Sequence, residues 1–462
     1  MFAFDESWIA SSMPLLLAIW VAVGFGLIAC QPKNASAGLP IAYFLGLSLI
    51  HVPGAILYFD AAESDSSAIV TRTGFAQTII GMVAFLVGVL VARRMTLGSS
   101  TRSPGVAQVL AISSAKIERS DRISILYIVI GFFVSFVVTR FSGGIPSIAA
   151  ILGSLGSLII VGICLRIWVA RVEHKPIKAW SAAMLALLLP IGTTVQGGFI
   201  GFGTYWLMVI FCFFFVRSDH RIRYVLLAPV VAFLGLSVWV NYAAARDDFR
   251  RLVWVEQVGI GDRLARIAQM IEQFEWLDLS KYEHRRPIDL RLNQNIFVGL
   301  AVERLRSGQI DYAWGSTPGN IVLALIPRAI WPDKPAVGGG GTIVADFTGL
   351  ELAQGTSFGA GQVLEFFVNF GTFGVIAGFL LYGLCFGHLD LKVSKHLQTG
   401  DQRRLLFSFL VCLSLLQPGG NLLEIVVSVV TSILAAYGLG GLLRNYRRRG
   451  ALMAIDERRL RS

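Results

Sequence analysis

Charge is what this chain has least of: only 15% of its 462 residues are Asp, Glu, Lys or Arg, against 55% hydrophobic residues and a mean hydropathy of +0.67. Soluble domains carry about 25% charged residues, so a soluble globular protein is excluded. Histidine is scarce, and the long polar stretch 243–360 holds no Asp-x-Asp pair and only one histidine, His284. No metal site is therefore expected there. The five cysteines, Cys30, Cys164, Cys212, Cys385 and Cys412, lie in or beside apolar runs without ligand-like spacing, which argues against both a disulfide frame and a zinc site. Asp5 and Glu6 stand where a cleavable signal would have basic residues, and no small-residue cleavage site follows, so the first apolar run is expected to remain as a helix. Internal repeats are absent. The one low-complexity element, Gly338-Gly339-Gly340-Gly341, lacks the lysine and strand-to-helix setting of a phosphate loop and reads as a hinge.

What remains is apolar sequence in long runs. Stretches able to cross roughly 30 Å of hydrocarbon fall near 9–29, 38–59, 74–92, 123–141, 148–165, 177–195, 199–216, 222–242, 361–386, 405–417 and 421–443. The expected fold is an all-α polytopic integral membrane protein with about eleven transmembrane helices. It divides into an N-terminal bundle (1–242), one long external loop (243–360), C-terminal spans (361–443) and a basic tail (444–462). The turns after alternate spans, together with the tail, hold 25 of the 40 lysines and arginines, including Arg93-Arg94 and Arg447-Arg448-Arg449. By the positive-inside rule those faces are cytoplasmic, with the N-terminus outside and the C-terminus inside. This bias and contact with lipid headgroups account for most of the net charge of +11, so nucleic acid is not an expected partner. Within the external loop, Leu264, Ile267, Ile271 and Phe274 recur at helical spacing after Asp262. A second helix is expected from Asp289, as cap, through Leu292, Ile296 and Leu300 to Gly308. Both read as amphipathic helices on the membrane or over a cavity mouth.

Ionisable residues at the external ends of spans are the candidates for chemistry, because charge at membrane depth is costly. In Ile326-Pro-Arg-Ala-Ile-Trp-Pro-Asp-Lys-Pro335, three prolines stiffen the backbone around Arg328, Trp331 and Lys334, which reads either as fixed cations for a bound anion or as a proline-broken loop whose Arg and Lys face water or lipid headgroups. Arg246-Asp247-Asp248-Phe249-Arg250-Arg251 ends the eighth span and reads either as a solvated helix end or as an anion site with a carboxylate beside it. Glu365 and Asn369 lie one turn apart on one helix face. Glu424 follows the Pro418-Gly-Gly-Asn421 turn as a helix-start carboxylate, and Arg140 is a snorkelling anchor or a further anion contact. External cations with a few carboxylates around a membrane-level cavity suit an amphiphile with an anionic head and a polar body, such as a polyprenyl pyrophosphate carrying sugars.

The order of Gly143-Gly144, the long loop, Tyr312-Ala-Trp-Gly315-Ser-Thr, the Pro327-to-Pro335 motif and Glu365-x-x-x-Asn369-Phe-Gly371-x-x-Gly374 resembles the oligosaccharide repeat-unit polymerases, the Wzy-type O-antigen polymerases of bacteria. The likeness is strongest from about 310 to 380. Many relatives carry an arginine in a Ser-Arg-Gly turn between two middle spans, where this chain has Val195-Gln196-Gly197-Gly198, so Arg140 or Arg246 is expected to substitute. The resemblance implies a GT-C-like bundle in the bacterial cytoplasmic membrane and transfer of a growing glycan from undecaprenyl pyrophosphate to a new lipid-linked repeat unit at its outer face. Arg328 and Lys334, with Arg140, Arg246, Arg250, Trp331 and Asn369, would hold the pyrophosphate and substrate, and Asp247 or Glu365 would take the proton. Neither metal nor cofactor is implied, and a polysaccharide chain-length regulator is an expected partner. A flippase of lipid-linked glycans and an O-antigen ligase are the rival readings. The first would show paired halves with interrupted spans, and the second would need a base for which His284 is the one external histidine.

Overall fold

A computed structural model describes residues 12–32, 35–62, 64–100, 114–138, 146–326, 331, 333, 338–352 and 359–460. Helices dominate, and no strand occurs among the described residues. The N-terminal region comprises α1 (Met13–Ala29), α2 (Leu39–Leu57), α3 (Ser66–Ser100), α4 (Ser114–Phe133, extended by a π turn, Val134–Val138), α5 (Pro146–Gly156), α6 (Leu158–Val172), α7 (Pro176–Leu185), α8 (Leu188–Gly197), α9 (Ile200–Val216) and α10 (Arg221–Arg250, extended by a π turn, Arg251–Val255). Shorter helices follow: α11 (Ile260–Glu272), α12 (Tyr282–Arg291), α13 (Asn295–Arg306), α14 (Ser316–Leu325) and α15 (Gly340–Thr348). The chain ends in α16 (Gly361–Thr399), α17 (Gln402–Leu415) and α18 (Leu422–Leu460). Proline opens α1, α2 and α7, where its missing N–H is harmless, and Asp401 caps α17 by accepting from Arg404 N at 3.1 Å.

Eight helical stretches among the described residues are long and apolar enough to span a bilayer, and the protein reads as a polytopic membrane protein. The apolar runs expected near 9–29 and 199–216 are helices of 17 residues each. The run expected at 405–417 is α17, whose 14 residues extend roughly 21 Å, short of a full hydrocarbon core.

The centre of the bundle is α3 packed along α16. Their backbones touch because glycine faces backbone: a Cβ at Gly383 would lie 2.1 Å from Phe85 O, and one at Gly88 2.3 Å from Leu380 O. The aromatic rings of Tyr43, Phe85 and Phe386 fill the space beside this contact, at centroid separations of 5.0 to 5.7 Å. In contrast, α10 stands at the rim with Ile222, Leu226, Val230 and Val231 exposed, as a lipid-facing helix would.

The loop helices depart from expectation in one respect. The helix at Ile260–Glu272 is amphipathic, with Ile267 buried and Leu264 and Ile271 exposed. The second does not lie over the bundle; α13 enters it, burying Val298, Ala301 and Val302, because Gly299 and Gly74 let its backbone meet that of α3. Nor does Asp289 cap α13. It belongs to α12, where it accepts from Tyr58 Oη at 3.0 Å and from Asn293 Nδ2 at 2.8 Å.

Candidate functional site

Two parts of the resemblance motif, more than 50 residues apart in sequence, fold onto each other. α16 is broken at Phe370 and Gly371, the latter with φ 61° and ψ −153°, a conformation open only to glycine. The segment Tyr312–Thr317 docks on this break: Ala313 N donates to Val368 O at 2.8 Å and Gly315 N to Asn369 Oδ1 at 2.9 Å, while Asn369 Nδ2 donates to Thr317 Oγ1 at 2.7 Å. Asn369 is thus a buried bridge rather than an exposed contact. Trp314 takes a positive φ of 46° and projects its ring, 65% exposed, from the docked segment. Trp314 belongs to the Tyr312-to-Thr317 motif but was not among the expected site residues; its position just before a glycine was the available signal.

Glu365, one turn before Asn369, is 1% exposed. Its Oε2 accepts from Leu422 N at 2.6 Å, so the carboxylate sits on the N-terminus of α18, and Thr317 also hydrogen-bonds to it. Beside it, Gln362 Nε2 donates to Gln417 O at 2.5 Å and to Gly420 O at 2.7 Å, lacing the start of α16 to the 417–421 turn. Asn421 and Glu424 form a capping box: Asn421 Oδ1 accepts from Glu424 N at 2.8 Å, and Glu424 Oε2 from Asn421 N at 3.4 Å.

The second group gathers at the turn between α8 and α9. This turn has no arginine of its own, yet two reach it from elsewhere. Arg263, on α11 and 5% exposed, donates from Nη1 to Val195 O at 3.0 Å and to Gln196 O at 3.5 Å, and Tyr242 Oη donates to Gly198 O at 2.6 Å. The backbone and side chain of Arg250 pass against Gly198, with its guanidinium over Phe199 and Trp254 at 5.1 and 5.3 Å from the ring centroids. The residues that approach the turn are therefore Arg250 and Arg263. Arg246 hydrogen-bonds with Tyr242 instead, and Arg140 lies outside the described residues. Arg291, at the end of α12, is lowered from the usual guanidinium value chiefly by burial and then by Arg246 and Arg250, with Asp247 countering. Asp247 is exposed beside these arginines, whereas Asp248 pairs with Arg266 at 2.7 Å.

Between the groups runs a cleft of about 1530 Å³. Its walls are mostly apolar, with Phe132, Ile160, Phe202, Trp206 and Val427 among them, and it reaches Gln196, Gln257, Arg263, Gln417 and Glu424 at its polar parts. Phe199, under the Arg250 guanidinium, also lines it. Arg328 and Lys334 lie outside the described residues; Trp331, between them, is 40% exposed. His284 accepts from Asp278 N at 3.0 Å through Nδ1 and faces Glu275 Oε2 at 3.5 Å, so it holds a turn in the loop. No protein-family model, curated protein or solved structure matches this chain.

Proposed function

We propose that the protein polymerises lipid-linked oligosaccharide repeat units at the outer face of a bacterial cytoplasmic membrane. The observation that carries this reading is the cleft: apolar walls suited to a polyprenyl chain reach polar parts where Glu424 stands and Arg250 stacks on the lining Phe199, while Arg263 holds the turn there through Val258, Val195 and Gln196 carbonyls. A pyrophosphate with sugars is the head that suits those polar parts, since a guanidinium group pairs two phosphate oxygens at once. In this account a hydroxyl oxygen of the incoming repeat unit attacks the anomeric carbon of the growing glycan, whose bond to the pyrophosphate breaks. The electron pair leaves with undecaprenyl pyrophosphate, and Arg250, with Arg328 and Lys334 of the proline motif, stabilises its growing charge. Asp247 takes the hydroxyl proton. It is exposed beside Arg250 and Arg291, while Glu365 is committed to Leu422 N and Thr317 and serves to position the 312–317 segment. Trp314 offers an exposed face for a sugar ring. The eleven helices, counting α1, α9 and α17, form a GT-C-like bundle, and a chain-length regulator is its partner.

Purified protein given only lipid-linked repeat units should make longer lipid-linked glycans and release undecaprenyl pyrophosphate. Folded protein that makes no polymer from its native substrate, but moves the lipid across a vesicle membrane, would replace this reading with the flippase.

A further inference from the structure

At the other end of the bundle, Arg93 and Arg221 reach the segment that leads into α2, and Arg171 and Arg217 stand beside them. Asp390 of α16, fully buried, accepts from Ala37 N at 2.9 Å and Leu39 N at 3.1 Å through Oδ1, and pairs through Oδ2 with Arg93 Nη2 at 3.2 Å. The same Arg93 nitrogen donates to Gln31 Oε1 at 2.6 Å. Arg221 Nη1 donates to Gln31 O at 2.8 Å, and Arg171 Nη1 to Arg217 O at 3.1 Å. Arg217 lies over the Phe213 ring at 3.7 Å.

Among the described residues this arrangement holds one buried carboxylate, Asp390, and although Arg217 also donates to Phe213 O and Arg221 to Val216 O, several of its buried donors remain unmet. Burial lowers the Arg217 guanidinium to about 10; Asp390 is the carboxylate that counters, while Arg171 and Arg221 push it lower still. Nε and Nη1 of Arg93, Nε of Arg171, Nε of Arg221 and Nε2 of Gln31 are buried and donate to no acceptor among the described residues. Arg93 is 6% exposed and Gln31 2%, so these donors are not turned to bulk water. A lock that served only to tie α2, α3 and α16 together would need one guanidinium opposite Asp390, and Arg93 already fills that role. The half-buried Arg171 and Arg221 bring the cluster to the surface of the protein.

We propose that this cluster of Arg93, Arg171, Arg217, Arg221 and Gln31 is a second anion site that binds a tetrahedral phosphate oxyanion, supplied by an anionic phospholipid headgroup or by free phosphate. Such an anion presents several acceptor oxygens at once and offsets the excess charge, which neutral acceptors cannot do. The site is independent of the cleft and of the reading given to it.

The test compares wild type with Arg171→Gln/Arg221→Gln, both half-buried positions where an amide keeps hydrogen bonding and removes charge. Thermal melting of the purified full-length protein is followed in inorganic phosphate against chloride of equal ionic strength, and in nanodiscs of phosphatidylglycerol against phosphatidylcholine alone. We expect a rise of several degrees for wild type that is at least halved in the variant. A rise in phosphate assigns free phosphate, and one confined to phosphatidylglycerol assigns the lipid. Asp248→Asn, in the other charged group, should leave the rise unchanged. No rise beyond the chloride and phosphatidylcholine controls, or an equal rise in the variant, overturns the site. If the double variant does not fold, native mass spectrometry of wild type decides: one retained phosphate or phosphatidylglycerol supports the site, and none overturns it.

Discussion

Around the cleft, Arg250 and Arg263 rest on aromatic faces and loop carbonyls beside an open volume, with an exposed carboxylate, Asp247, nearby. At the opposite end, Arg93 pairs with the buried carboxylate of Asp390, with Arg217 buried nearby, nineteen residues and about 28 Å of helix beyond the break at Gly371. The same side chain is asked for different things. Arg250 stays half-buried beside the cleft with its guanidinium over two rings, and under the proposed function losing it costs chemistry, whereas Arg263 is committed to backbone carbonyls. Arg93 is tied to the packing of α2, α3 and α16, and losing its counter-charge costs the fold.

That contrast breaks most sharply at the aspartates. Asp390→Asn removes the charge opposite Arg93 and weakens the acceptor for two backbone N–H groups, so it should cost about 3 to 5 kcal/mol, read as a lowered melting temperature and loss of monodisperse protein. Asp247→Asn, at an exposed position, should change stability by less than about 0.5 kcal/mol yet slow polymerisation about a hundredfold. Equal effects of the two substitutions on melting would dissolve the distinction.

Next in size is Arg250→Ala, which should lower polymer formation by roughly ten- to a hundredfold with melting little changed. Arg250→Lys should rescue it poorly, because an ammonium neither stacks flat on Phe199 nor pairs two phosphate oxygens. Full rescue by lysine, measured as initial rate, would reduce the site to a point charge. Glu365→Gln keeps an oxygen for Leu422 N, so its rate should fall less than that of Asp247→Asn; Glu365→Ala should cost about 1 to 3 kcal/mol of stability through the orphaned α18 terminus. A hundredfold loss in the glutamine variant with unchanged melting would return Glu365 to the role of base.

The smallest effect belongs to the loop. Lys281, by hydrogen bond and charge, holds Glu275 below the usual glutamate range, and Glu275 raises Lys281. The contribution of Glu275 is present above its unfolded pKa and is lost as pH falls through its folded one. The contribution of Lys281 is lost only at strongly alkaline pH. Both groups are solvent-exposed, so the protection of amides in 275–281, relative to their intrinsic exchange rates at each pH, should fall only modestly between pH 7 and pH 3, and high salt should erase the difference. A pH effect that persists in 1 M salt would show a buried interaction instead.

Much of the membrane fold was legible because a spanning helix must be continuously apolar, and the long runs of the sequence are helices. The entry of α13 into the bundle was not legible, because its polar ends and Arg304 and Arg306 look like those of a surface helix; the deciding feature, Gly299 against Gly74, has no periodic signature. At the site, the grouping of Glu365 with Asn369 followed from helical spacing. Their docking on Thr317 did not, since a 52-residue separation carries no local pattern. Arg263 was hidden for the same reason: it serves the Val195–Gly198 turn from a helix more than 60 residues away.

The central claim is that the cleft holds the lipid of the substrate with its charged head toward Arg250. A lipid-linked repeat unit bearing a photoreactive group in its polyprenyl chain tests this directly, by mapping the cross-linked peptides. The account predicts cross-links to cleft residues such as Phe202, Trp206 and Val427, suppressed by excess unlabelled substrate. Cross-links confined to the exposed face of α10 around Leu226 and Val230, and insensitive to competitor, would contradict it.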